Sequence, residues 1–195
     1  RGMGRTLEYA EYTEEERPVS IQIFGSDPEK MAEAAQVVEA MGADIVDVNM
    51  GCPVPKVAKH QAGCSLMRAP EHAALVVAAM TRSVSVPVTV KMRSGWDSEH
   101  INAPQVARLM EQAGAAGLAV HGRTAAQSYT GQSDWALIDE VAREVSIPVF
   151  GSGDCLVPLD LVERFRDTAV AGVLVGRGAL RNPWIFEQAE ALARG

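Results

Sequence analysis

From residue 17 onward, short β-branched and aliphatic runs alternate with stretches whose apolar positions recur at helical spacing, which predicts βα units feeding a parallel sheet. Six strands are expected, over residues 18–24, 43–50, 86–92, 117–121, 147–150 and 171–175. After the first, Asp27 and Pro28 supply an N-cap and a first helical position. Met31, Ala34, Ala35 and Val38 then fall on one helix face, and Gly42 ends the helix. Further helices are predicted over 70–82, 103–112 and 134–145, from about 158 and from about 182. Residues 51–67 carry no such pattern and read as a loop, of a length that is usually functional inside a compact domain.

Six βα units can build an open doubly wound sheet or most of a (β/α)8 barrel. Chemistry-bearing residues follow every strand: Gln22, Asn49 with Cys52, Lys91, His121 with Arg123, Gly153 with Asp154, and Gly176 with Arg177. An open sheet places ligand groups only near its switch point, whereas a barrel gathers all its strand ends around one mouth. The expected fold class is therefore α/β, a TIM barrel represented here by its strands 3 to 8.

Composition narrows the partners. No apolar run approaches the roughly 18 residues that cross a bilayer, and the first residues lack the apolar core of a signal peptide, so a cytoplasmic protein without membrane contact is expected. The net charge of -7 argues against a chain that grips nucleic acid by overall positive charge, and leaves a local basic patch open. Cys52, Cys64 and Cys155 are an odd count without metal-ligand spacing, so reduced thiols and no metal site are expected.

Individual residues then divide between chemistry and packing. Cys52 follows a buried strand beside Gly51 and Pro53, which puts a thiol at a strand's C-terminal end, as a reactive group or as a small buried residue. Lys91 ends an apolar strand and either holds negative charge in the mouth or has reached solvent. His121 fits proton transfer, ligand binding or a structural hydrogen bond. Gly151-Ser152-Gly153-Asp154 and Gly176-Arg177-Gly178 follow the last two strands, where barrels of this class bind phosphate on backbone N–H groups. Lys56, Lys59, His60 and Arg68 cluster around the long loop as a solvated face or a polyanion patch.

The run Asn49-Met50-Gly51-Cys52-Pro53, then Lys56-Val57, Ala62-Gly63 and Leu66-Met67, is followed by Val90-Lys91-Met92-Arg93 and His121-Gly122-Arg123-Thr124. With Gly151-Ser152-Gly153-Asp154 and Gly176-Arg177-Gly178-Ala179 in that order, it resembles the tRNA-dihydrouridine synthases, most nearly their bacterial B-type branch. The similarity runs from Pro18 to near the end of the chain. It implies an FMN-dependent barrel that uses NADPH to reduce the C5–C6 bond of uridine in tRNA, in a protein monomeric at full length. Residues 1–195 would then be one partial FMN-binding barrel domain. The family's first two βα units and its C-terminal helical tRNA-binding domain are expected to be absent.

By the same resemblance Cys52 is the catalytic acid protonating C5, which requires a thiol rather than a thiolate. Gln22, Lys91, His121, Ser152, Gly153, Asp154, Gly176 and Arg177 would bind the cofactor, and Asn49, Lys56 and Arg123 the substrate. Ser152 stands where asparagine is usual, and Cys64 where a small residue is usual. A dihydroorotate-dehydrogenase-like flavoenzyme and a fragment without catalysis are the alternatives. The basic loop after Cys52 and the His-Gly-Arg-Thr segment argue against the dehydrogenase.

Overall fold

The computed structural model describes Glu8 and residues 10–195. The polar opening read from the sequence as lacking a signal peptide lies largely outside these residues. Strands β1 (Ser20–Ile23), β2 (Ile45–Met50), β3 (Val88–Arg93), β4 (Gly117–His121), β5 (Val149–Ser152) and β6 (Gly172–Leu174) form one sheet. Every neighbouring pair is parallel, and the spatial order is the chain order. That order has no reversal, so the doubly wound arrangement with its switch point is excluded.

Helices connect the strands: α1 (Pro28–Ala40), α2 (Pro55–Ala58) and α3 (Pro70–Ser83) in the first half, with α4 (Ala103–Gln112), α5 (Trp135–Glu144), α6 (Pro158–Asp167), α7 (Arg177–Arg181) and α8 (Ile185–Arg194) after β3. Local chemistry sets their starts. The Asp27 carboxylate accepts from the Glu29 and Lys30 amides at 3.1 and 3.2 Å, and Asp134 accepts from Leu137 N–H at 2.9 Å. Gly42, at φ +92°, follows α1 in a conformation that costs other residues steric strain.

Strand alternation sorts two faces. Val46, Val48, Met50, Val88, Val90, Met92 and Val120 are fully or almost fully buried in the core that the helices cover. The other parity carries Gln22, Asp47 and Thr89 at one level, and Asn49, Lys91, Ala119 and Phe150 at the next. Ser20, Asp47, Lys91, Ala119, Phe150 and Leu174, one from each strand, line a single cavity of about 280 Å3. Six strands touching one cavity means the sheet curls around its polar face. The architecture is an arc of a (β/α)8 barrel with β1 and β6 as its edges, not closed on itself among the described residues.

The structure corrects several expectations, and β1, β2 and β3 each start two residues later than the pattern predicts. The 51–67 loop folds into α2 and a 3-10 helix at Gly63–Arg68. β5 starts two residues late because Pro148 has no N–H and the Ile147 amide donates to Glu111 at 3.2 Å, off the ladder. A short helix that the pattern did not predict, α7, precedes the terminal helix α8, which starts at Ile185. Asn182, at φ −141° and ψ 91°, has the extended conformation that a following proline favours, and this separates α7 from α8. Among the described residues no helix is long and apolar enough to cross a membrane.

Candidate functional site

The C-terminal ends of β3 to β6 open into a cleft of about 220 Å3, lined by Lys91, His121, Tyr129, Ser152, Gly153, Asp154, Gly176 and Arg177 among others. Seven of the eight residues expected to bind a cofactor are therefore in one place. Gln22, the eighth, lies on β1 and reaches the site through Asn49, whose Nδ2 donates to Gln22 Oε1 at 2.7 Å. Asn49 and Lys91 are register partners across β2 and β3, which sets the cleft beside the strand end that leads to Cys52.

Cys52 is half-buried, and its backbone is held on both sides. Its amide donates to Asn49 Oδ1 at 2.9 Å, and its carbonyl accepts from the Cys64 amide at 3.1 Å. Gly63 permits that closeness. It sits at φ +61°, and a Cβ there would lie 2.7 Å from the Cys52 carbonyl oxygen. Cys64 and Cys155 are buried, and burial pushes both thiols up, Cys155 to about 12. Both lie away from solvent with the thiol favoured over the thiolate.

Burial lowers the Lys91 pKa, with Asp47 opposing and Arg93 adding to the effect. No carboxylate lies within ion-pairing distance of its ammonium among the described residues, so its charge faces the cleft without a paired anion. His121 is brought from its ordinary 6.5 down to about 4, first by burial and then by the charges of Arg93, Lys91 and Arg123. A neutral ring follows at physiological pH. Its Nε2 is buried without a hydrogen-bond partner among the described residues, and such an atom costs stability until a ligand or water meets it.

The sign of the His121 shift fixes a pH dependence. The folded pKa lies below the unfolded one, so acid favours the unfolded chain. Stability is full above pH 6.5 and falls as pH drops towards 4, by up to about 3 kcal/mol. His121→Asn is expected to flatten this part of the profile. Urea midpoints at pH 7 and pH 4.5, compared between the two proteins, separate it from the titrating carboxylates.

Asp154 and Arg123 are organised differently from the sequence expectation. Asp154 has φ +55°, unusual outside glycine. Its carboxylate is engaged by protein: Arg123 Nη2 donates to both oxygens at 2.9 and 2.8 Å, the Ser133 amide donates at 2.8 Å, and Arg177 Nη2 at 3.3 Å. Burial would raise its pKa, but these donors outweigh it and hold the carboxyl below its ordinary range. The side chain of Arg123 is 3% exposed, and it also donates to the carbonyls of Thr130 and Gly131 at 3.1 and 2.6 Å. Arg123 therefore braces the 122–133 loop from inside. Gly153, at φ +126°, lets this turn pass Ser133, whose Oγ would be 2.2 Å from a Cβ.

Lys56 is exposed on α2, and it is not part of the cleft lining. Two residues that the sequence reading did not single out join the site. Arg93 is 5% exposed and ties the Cys52 turn to the β4 loop, donating to the carbonyls of Gly51, Thr124 and Ser128 at 2.8, 2.9 and 3.0 Å. Its place two residues after Lys91, at the same strand parity, was the available signal. Tyr129, 62% exposed, lies 6.0 Å from the Arg93 guanidinium and 5.2 Å from that of Arg177. It is the lone aromatic of the polar 122–133 loop.

A family model described as dihydrouridine synthase matches residues 3–195. The chain is 43% identical over 195 residues to tRNA-dihydrouridine synthase B of Xanthomonas campestris pv. campestris, covering 100% of this chain and 59% of that protein. It is 45% identical over 180 residues to tRNA-dihydrouridine synthase B of Pseudomonas aeruginosa, covering 92% and 54%. The chain thus spans little more than half the length of these curated relatives. Among solved structures, DHODH in complex with ferulenol from Eimeria tenella aligns with a TM-score of 0.63 at 14% identity, over 87% of this chain and 56% of that one, a likeness of fold alone. With the family model matched over nearly its whole length, the chain belongs to the dihydrouridine synthase family.

Proposed function

We propose that the protein containing this chain is a flavin-dependent tRNA-dihydrouridine synthase, with FMN as cofactor and NADPH as reductant, reducing the C5–C6 double bond of uridine in tRNA. The observation that carries this reading is the convergence of a half-buried cation, Lys91, a neutral imidazole with an unmet Nε2 and two glycine turns in one cleft, adjacent to the Cys52 turn. The names of the curated relatives support the same substrate.

The residues present fit a flavin mononucleotide. A side chain at Gly176 would meet nothing within 4 Å, so the backbone there is open to a large ligand, and Arg177 beside it offers a charge-assisted contact to phosphate. Lys91 suits a developing negative charge on a ring system, and His121 Nε2 suits a polar atom of the same ligand. When bound, reduced flavin supplies the hydride that goes to C6. Cys52 gives its thiol proton to C5, so the uracil ring gains two hydrogens and the cysteine is re-protonated from solvent. Lys56 and its neighbours Lys59 and Arg68 are exposed cations near the Cys52 turn, suited to tRNA phosphates despite the acidic whole.

The test is incubation of the intact protein with FMN, NADPH and unmodified tRNA, followed by mass spectrometry of the digested nucleosides. A uridine that gains two hydrogens is the expected product. Turnover of free dihydropyrimidines with no change in tRNA would instead favour a dihydroorotate-dehydrogenase-like activity, and overturn this reading.

A further inference from the structure

We propose that Asp47 is a positioning residue, the fixed acceptor end of a one-way hydrogen-bond chain through Gln22 and Asn49 that sets the orientation of the Cys52 turn. The links are short and their polarity is determined. Gln22 Nε2 donates to Asp47 Oδ2 at 2.6 Å, and Asn49 Nδ2 donates to Gln22 Oε1 at 2.7 Å. Asn49 Oδ1 then accepts from the amides of Gly51 and Cys52 at 3.1 and 2.9 Å. The other Asp47 oxygen accepts from Thr89 Oγ1 at 2.6 Å. Asp47 is 9% exposed.

Carboxamides are ambiguous by themselves, since a 180° flip exchanges donor and acceptor, and the two in this chain are locked from both ends: the Gly51 and Cys52 amides can only donate, and the far end must only accept. The Asp47 carboxylate is that end. Without it the Gln22 amide loses the acceptor that fixes its NH2, and Asn49 is held only by the two backbone N–H groups it accepts from. The register supports the same direction of control: Gln22, Asp47 and Thr89 form one row across β1, β2 and β3, one level below Asn49. The rigid rows of the barrel thus orient a residue on a turn.

The significance for catalysis rests on the reading of Cys52 as the proton donor, but the chain can be measured without it. In the intact protein, with neither tRNA nor NADPH, amide hydrogen exchange at Gly51 and Cys52 is read residue by residue. Asp47→Leu is expected to speed exchange at both amides at least tenfold while the β3–β4 ladder keeps its protection. Asp47→Asn is expected to stay within about threefold of the parent, because its Oδ1 can still accept from Gln22 while its NH2 donates to Thr89, whose hydroxyl turns to accept. Equal acceleration in Asp47→Asn and Asp47→Leu would overturn the proposal, since charge or packing rather than acceptor polarity would then be at work. If Asp47→Leu does not fold, Gln22→Met on the exposed edge strand breaks the next link, and unchanged protection there overturns it equally. A Cys52→Ala protein that still reduced uridine would sink the function of the thiol and leave the chain standing.

Discussion

Cys52→Ala is expected to lower uridine reduction by about a thousandfold, within the 10²–10⁴ that a positioned general acid contributes, while flavin binding and stability stay close to those of the parent. Stability should hold because what fixes this turn is backbone: the Cys52 amide on Asn49, its carbonyl on the Cys64 amide, and Gly51 on Arg93. Alanine keeps all three. The thiol is half-buried rather than packed in the core, so its loss removes little buried area. Cys64 makes the contrast. It is fully buried, and Cys64→Ala should cost about 1 kcal/mol of stability through lost packing and leave the reduction rate unchanged. Single-turnover oxidation of the reduced flavin by tRNA separates the two variants. Unimpaired turnover in Cys52→Ala would remove the thiol from the chemistry.

Much of this arrangement was legible in the sequence. β4 and α4 fall where pattern alone put them, because uninterrupted apolar periodicity between glycine boundaries leaves no alternative register. Where boundaries moved, hydrogen bonding rather than hydrophobicity decided them, as with the missing amide of Pro148 and the Asn182–Pro183 step. The cleft was legible as a set of strand-end residues, and the connections inside it were not. Periodicity assigns Arg123 to a loop after β4, but it cannot report that a carboxylate 31 residues on would turn the guanidinium inward. Nor can it separate Asp154 as a ligand group from Asp154 as a partner of protein donors. Arg93 was hidden for a related reason, since three backbone carbonyls are its acceptors, and acceptors of that kind leave no trace in residue type.

Arg123→Met is expected to destabilise the fold by about 3 kcal/mol, the lower end of the range for breaking a buried ion pair by removing one partner. The lower end applies because the Asp154 side chain is 28% exposed and water can partly replace the lost donor, whereas that of Arg123 is only 3% exposed. Three further losses act together: the carbonyls of Thr130 and Gly131 lose their donors, and Asp154 keeps its φ of +55° without the bidentate contact that supports it. For a chain of 195 residues this corresponds to a fall in Tm of roughly 6–12 °C. The double variant Arg123→Met/Asp154→Asn should recover part of the loss, since no uncompensated charge remains, and a double-mutant cycle measures that coupling. The pH profile gives an independent reading. The folded pKa of Asp154 is depressed, so its contribution is present above the ordinary carboxylate pKa of 3.8 and is lost as pH falls through the folded value. In Arg123→Met that acid-side loss should shrink, because the largest cation holding the carboxylate ionised is gone. A cost below 1 kcal/mol together with an unchanged acid limb would mean that the Asp154 turn is held by the Ser133 amide and Arg177, and that the Arg123 ion pair adds little to it.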